Sequence, residues 1–146
     1  MAKGEISYKP NLQEVALFYK PSYLWPSKAD PILLFSAITA WTDPGVFTPI
    51  VPGGAGGILT PFDIYFITAG NISLSGDYEI HLFYGNGNEY YSAADVTRSA
   101  IAERDAVLEV HGIVLPPETS ISAKLYTGNN DISTLTVKLW YHQYSI

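Results

Sequence analysis

Apolar and polar residues alternate with a period of two along much of the chain after residue 61, the pattern of strands with one buried face. In the segment 78–84, one face carries Tyr78, Ile80, Leu82 and Tyr84, and the other carries Glu79, His81 and Phe83. The same alternation predicts inward-facing Ile121, Ala123 and Leu125, and in the last strand Leu135, Val137, Leu139 and Tyr141. Further strands are predicted at 32–41, 62–68 and 107–110.

Turn signals separate these segments every 8–12 residues or so, and Gly85–Asn88 is the strongest because glycine and asparagine tolerate positive φ. The pattern holds about eight antiparallel strands, no strong helix and no repeat period, which predicts an all-β fold, a β-sandwich or jelly roll. The secondary structure of one stretch is undecided. Residues 89–105 carry both helix-compatible and strand-favouring residues, and we favour strand and loop.

Proline divides the chain into two parts, because eight of the ten prolines lie in the first 61 residues. Proline fixes φ and lacks an N–H, so this front part cannot form long helices or central strands. Residues 1–30 are therefore predicted to be an extended Pro-rich N-terminal arm, and residues 31–146 the β-sandwich body. The long loop 42–61 follows the first body strand.

Aromatic residues make the arm unlike a disordered tail, since exposing them to water would be costly. The arm either wraps its own body or lies on another subunit, and we favour the second. Arginine is enriched at interface hot spots, and the chain has only two. The predicted partner-interface residues are Phe18, Tyr19, Tyr23, Trp25, Arg98 and Arg104.

Charged residues make up 15% of the chain, against about 25% in an average domain, while 14% are aromatic. Such a composition fits a protein in contact with neighbours, or simply an aromatic-rich β domain. The net charge of −6 argues against nucleic-acid binding. The chain has no cysteine, no signal-peptide pattern and no apolar run near 18 residues, so we expect neither disulfides nor a membrane partner.

Catalytic and metal-binding patterns are weak, and we predict no enzyme activity, no metal and no cofactor. His81, His111 and His142 lack close ligand spacing, apart from the pair Glu79 and His81 on one strand face. The glycine cluster 53–57 lacks the Lys and Ser/Thr of a phosphate loop. Carboxylates on the strands keep a glycosidase conceivable, but outward-facing polar positions explain them. The three tryptophans and eleven tyrosines keep carbohydrate binding open.

From Ile58 onward the chain resembles small jelly-roll proteins encoded beside the capsid genes of tailed bacteriophages. The residues that carry the resemblance lie in the segments 59–66, 76–82, 112–125 and 135–144. Capsid decoration (cement) proteins of this kind are trimeric β-barrels that sit on the shell at three-fold positions, with N-terminal arms that reach across capsomers. The resemblance implies no catalytic residues.

We therefore expect a structural virion protein that decorates and stabilises a capsid shell. Its partners would be the major capsid protein and two further copies of itself in a homotrimer. It would be made in the host cytoplasm and located on the capsid surface. The alternative is a receptor- or carbohydrate-binding β-sandwich module of a phage tail appendage. An enzyme of another type would need converging carboxylates or histidines, which the sequence does not indicate.

Overall fold

The structure of the protein is a computed structural model that describes residues 22–27, 30–85, 88–98 and 106–145, with Arg98 described by its backbone alone. Apart from one turn of 3-10 helix at Gly54–Gly56, the regular elements in these residues are strands. The nine strands are β1 (Ser22–Trp25), β2 (Ile32–Phe35), β3 (Thr48–Val51), β4 (Phe62–Gly70), β5 (Gly76–Tyr84), β6 (Glu89–Arg98), β7 (Ala106–Glu109), β8 (Ile121–Thr127) and β9 (Thr134–Gln143). Within these residues no helix is long and apolar enough to cross a membrane.

The strands form two antiparallel sheets. The five-stranded sheet has the order β1-β9-β4-β7, with β2 also paired to β9, and the four-stranded sheet has the order β3-β8-β5-β6. From β2 onward, every connection except the β5–β6 hairpin crosses from one sheet to the other. This alternation is the jelly-roll arrangement, so the predicted all-β sandwich is confirmed.

A period of two decides which side chains enter the core between the sheets. The predicted inward positions of β8 and β9 are all buried, and those of β5 are buried except Tyr84, which is half-buried. The largest fully buried side chains include Tyr78, Phe62, Leu34, Ile64, Ile67, Ile80, Leu82, Leu115, Leu125, Leu135 and Leu139. Every strand from β4 to β9 thus presents one face to the core.

The open stretch 89–105 is a strand over Glu89–Arg98, which confirms the favoured interpretation for those residues. Strand β6 pairs with the whole length of β5, from Gly76 opposite Arg98 to Tyr84 opposite Glu89. The hairpin closes where the Asn88 N–H donates to the Gly85 carbonyl at 3.1 Å, with Gly85 at φ 77°. Residues 99–105 lie outside the described residues.

Two segments differ from the sequence prediction. The predicted strand 32–41 ends at Phe35. The Ser36 N–H donates to Ser133 and the Trp41 N–H to Thr127, so this segment runs beside the β8–β9 connection instead. The predicted loop 42–61 contains β3, a short edge strand whose Pro49 lies at a register shift. Proline is tolerated there because an edge strand has N–H groups outside the ladder.

The first part of the chain that the structure describes belongs to the five-stranded sheet. Strand β1 pairs with β9, from Ser22 opposite His142 to Trp25 opposite Leu139. The sheet therefore begins eight residues or so before the predicted division at residue 30. Residues 1–21 and 28–29 lie outside the described residues.

Candidate functional site

Two of the predicted interface residues lie in β1 and contact the chain's own body. The Tyr23 ring stacks on Tyr141 with 5.5 Å between centroids, and Tyr23 is 40% exposed. The Trp25 indole N–H donates to the Ile50 carbonyl of β3 at 2.9 Å, and its ring packs against the core. Trp25 therefore joins the two sheets. Phe18, Tyr19, Arg104 and the Arg98 side chain lie outside the described residues.

A strip of exposed apolar side chains follows β2 and the segment after it. We call it the apolar rim, and its members are Leu33, Phe35, Ile38, Trp41 and Ile132, each between 43% and 65% exposed. Backbone hydrogen bonds hold the two segments side by side, with Ser36 N–H to Ser133 O at 2.9 Å and Trp41 N–H to Thr127 O at 2.7 Å. The segments that carry the rim residues are thus joined by backbone hydrogen bonds.

Low charge and a constrained tryptophan distinguish the rim from an ordinary surface. Asp131 is the only charged residue in the segments 32–42 and 127–135. Trp41 adopts φ 56°, a conformation that bulky residues rarely take, and its ring lies against Gly128. Depletion of charge and enrichment of aromatic side chains characterise the centre of protein–protein contacts. The rim has both properties.

A second surface lies on the outer face of the four-stranded sheet. We call it the aromatic platform, and its members are Phe47, His81, Phe83, Tyr90 and Tyr126. The ring of Phe83 lies edge-on to Phe47 at 5.0 Å and to Tyr90 at 5.7 Å. His81 lies 5.8 Å from Tyr90 and 4.5 Å from Tyr126. Cross-strand pairing places them together, because Phe83 is opposite Tyr90 and His81 is next to Lys124.

Two polar pairs lie among these rings. His81 Nε2 is 2.6 Å from Glu79 Oε1, and Lys124 Nζ is 2.8 Å from Asp43 Oδ2. The Lys124 ammonium also lies 4.3 Å from the centroid of the Phe47 ring, a cation–π contact. The hydrogen bond from Lys124, with a further one from the Gly45 N–H, lowers the pKa of Asp43. The platform therefore combines ring faces with hydrogen-bonding groups in fixed positions.

A third cluster closes the end of β4 and β9. The Asp63 carboxylate accepts hydrogen bonds from His142 Nδ1 at 2.9 Å and from the Tyr144 hydroxyl at 2.7 Å. The His142 ring stacks on Tyr65 at 3.9 Å, and the Tyr65 hydroxyl is hydrogen-bonded to Ser22 of β1. Burial, with help from the Asp63 carboxylate, raises the pKa of Tyr144 to about 12. We interpret this cluster as a structural clamp, because its polar groups are directed at one another.

The remaining sequence candidates are dispersed. The Trp140 indole N–H donates to Thr68 Oγ1 at 2.7 Å, and Trp25 is bound to Ile50, so of the three tryptophans Trp41 alone is an exposed ring. Among the described residues no three His, Asp or Glu side chains come together as metal ligands would. The sequence had indicated part of the platform, since Glu79, His81 and Phe83 alternate on one face. It could not indicate Phe47, which comes from a distant loop.

Comparison of the chain with protein-family models, with curated proteins and with solved structures returned no match in any of the three.

Proposed function

We propose that the protein is a structural subunit of a virion, which decorates and stabilises a capsid shell as a homotrimer of β bodies. The observation that carries this proposal is the apolar rim. Five exposed large apolar side chains on two hydrogen-bonded segments favour a contact surface. The sequence resemblance to capsid decoration proteins and the jelly-roll arrangement of the strands support the finer assignment.

The rim is assigned to the contact between copies of the chain. Permanent contacts between identical subunits are more apolar than transient ones, and their centres are poor in charge. Phe35 and Trp41 are the anchors, since aromatic side chains bury about 150–250 Å² each and dominate contact energies. A single charged group, Asp131, accompanies them.

Binding to the capsid shell is assigned to the N-terminal segment that precedes β1. Residues 1–21 include the apolar run 15–19, with Phe18 and Tyr19, and three of the four lysines of the first thirty residues. Three copies of such a segment on one trimer bind a symmetric shell with high avidity even when each binds weakly. Tyr23 and Trp25 serve differently, because they hold β1 in the body.

Sedimentation of the full-length protein tests whether the rim joins copies of the chain. We expect a trimer of the 16.0 kDa chain, and a monomer for the double variant Phe35→Ser, Trp41→Ser. The matched control is Val107→Ser, which removes a side chain that is 62% exposed on β7, at the opposite edge of the same sheet. A monomeric wild type, or a double variant that remains a trimer, contradicts the assignment. Circular dichroism establishes that each variant is folded.

Binding to the shell is tested by cryo-electron microscopy of virions purified from cells that produce the protein. The expected result is an ordered copy number at three-fold positions for the full chain, and loss of the protein from the shell when residues 1–21 are deleted. The deletion stops before Ser22 so that β1 and the body remain intact. A deletion variant that still coats the shell as a trimer contradicts the role of the segment.

A further inference from the structure

The aromatic platform is a second surface whose composition differs from that of the apolar rim. Tyr90 is 56% exposed, and Phe83 beside it is half-buried on the outer face of β5. The rings follow one another across three elements, from Phe47 through Phe83 to Tyr90, with neighbouring centroids 5.0 and 5.7 Å apart. Ring contacts thus extend across the outer face of the sheet.

Polar groups border these rings and constrain the chemistry of what can cover them. Glu79 and His81 lie on the same face of β5 as Phe83, and Ser122 and Tyr126 lie beside them on β8. Glu79 and His81 bond to each other and Ser122 bonds to Asn88, but a carboxylate and a hydroxyl accept more than one hydrogen bond. A purely apolar partner would bury this remaining capacity unused, at a free-energy cost. The ligand must therefore present apolar faces to the rings and hydroxyl groups to the borders.

The charge around the platform restricts the class of ligand further. The platform carries Glu79 and Asp43 paired with His81 and Lys124, and the exposed Asp95 lies opposite Glu79 on β6. Asp77 continues the same face of β5. Because carboxylates exceed cations here, polyanions such as nucleic acids or sulfated and phosphorylated glycans are repelled. A neutral ligand meets no such barrier.

We infer that the aromatic platform is a binding site for a neutral oligosaccharide. The C–H face of one sugar ring stacks on the exposed Tyr90 ring, and the neighbouring sugar contacts Phe83, whose plane lies at 78° to that of Tyr90. The sugar hydroxyls exchange hydrogen bonds with Glu79, His81 and Tyr126, which the structure already holds in fixed positions. The site lies on the sheet opposite β2 and its rim, so binding does not depend on the proposed trimer.

A glycan array probed with the full-length protein tests this inference. We expect binding to one or more neutral oligosaccharides and none to sialylated, sulfated or phosphorylated ones. Calorimetric titration with the strongest neutral ligand then compares variants. Tyr90→Ala weakens binding tenfold or more, about 1.4 kcal/mol, and Tyr90→Trp retains it because the stacking ring is kept.

Val107→Ala is the matched control, because Val107 is 62% exposed on β7 of the other sheet, close to the 56% of Tyr90, and belongs to neither named surface. Its affinity for the sugar is expected to equal that of the wild type. An array with no neutral ligand, a preference for anionic glycans, or equal affinity of wild type and Tyr90→Ala would each overturn the inference. Urea unfolding of Tyr90→Ala separates loss of the site from loss of the fold.

Discussion

A single tyrosine joins three separate parts of the sandwich. The Tyr91 hydroxyl accepts a hydrogen bond from the buried Ile64 N–H of β4 at 2.9 Å, and it donates one to the Ile113 carbonyl at 2.8 Å. Its ring passes so close to Gly112 that a Cβ atom there would lie 2.0 Å from ring atoms. Gly112 is therefore required by the path of the Tyr91 ring.

Replacing this hydroxyl is expected to destabilise the protein. In Tyr91→Phe the ring remains, but the buried Ile64 N–H loses its acceptor, which costs about 1–3 kcal/mol. Urea unfolding followed by tyrosine and tryptophan fluorescence measures the change. Tyr90→Phe, at the exposed neighbouring position, is the control and should stay within about 0.5 kcal/mol of the wild type. Equal stability of both variants would contradict this role of Tyr91.

The same tyrosine makes the free energy of unfolding decrease at alkaline pH. Burial raises the pKa of Tyr91 to about 12 from an ordinary 10.0, and the pKa of Tyr144 is raised similarly. Because the unfolded chain loses these protons first, their contribution to stability is complete below pH 10 or so. That contribution is lost as the pH rises to about 12.

Unfolding free energies measured in urea at intervals from pH 8 to pH 12 would follow this decline. The double variant Tyr91→Phe, Tyr144→Phe has neither titrating hydroxyl, so its stability should fall less steeply above pH 10. Tyr90→Phe again serves as the control and should keep the wild-type slope. A wild type of constant stability across this range is the result that rejects the expectation.

At the scale of elements, β1 and β2 act as two halves of one edge strand. Strand β1 pairs with Leu139–His142 and β2 pairs with Thr134–Val137, which leaves Lys138 as the β9 residue between them. Pro26 and Pro31 lie in the sequence between the two strands. These prolines exclude one continuous strand but allow two short ones, because they lie outside the ladder.

Trp25 provides a test of whether β1 stabilises the body. Trp25→Ala removes a ring packed on the core and the hydrogen bond to Ile50 of the opposite sheet, so we expect a loss of about 3 kcal/mol. The midpoint of urea unfolding measures it, with Val107→Ala, at an exposed position on the opposite edge of the same sheet, as the control. If Trp25 served only an external partner, the isolated protein would keep its stability.

At the scale of the whole molecule, the two proposed surfaces lie on different sheets. The apolar rim follows β2 and the β8–β9 connection, while the aromatic platform covers the outer face of β5, β6 and β8. Substitutions in surfaces that share no contacts have nearly additive effects. Each surface can therefore be altered without the other.

Much of the body followed from local patterns alone. The inward faces of β5, β8 and β9 were predicted correctly, because a strand with one buried face must alternate and the period is visible in a single segment. The hairpin at Gly85–Asn88 followed from the backbone freedom of glycine and asparagine. Strand β3 was missed because Pro49 and Pro52 argue against a strand unless its edge position is known.

The amino-acid sequence by itself thus determined the class of fold, the core positions of β5, β8 and β9, and the low content of charged residues. Only the tertiary structure decided that Ser22–Trp25 pairs with the far end of the chain, that Trp41 is exposed, and that Phe47 reaches Phe83. The reason is physical. Alternation is set by neighbours two residues apart, whereas the partner of an edge strand and the cover over an aromatic ring come from residues far away in sequence.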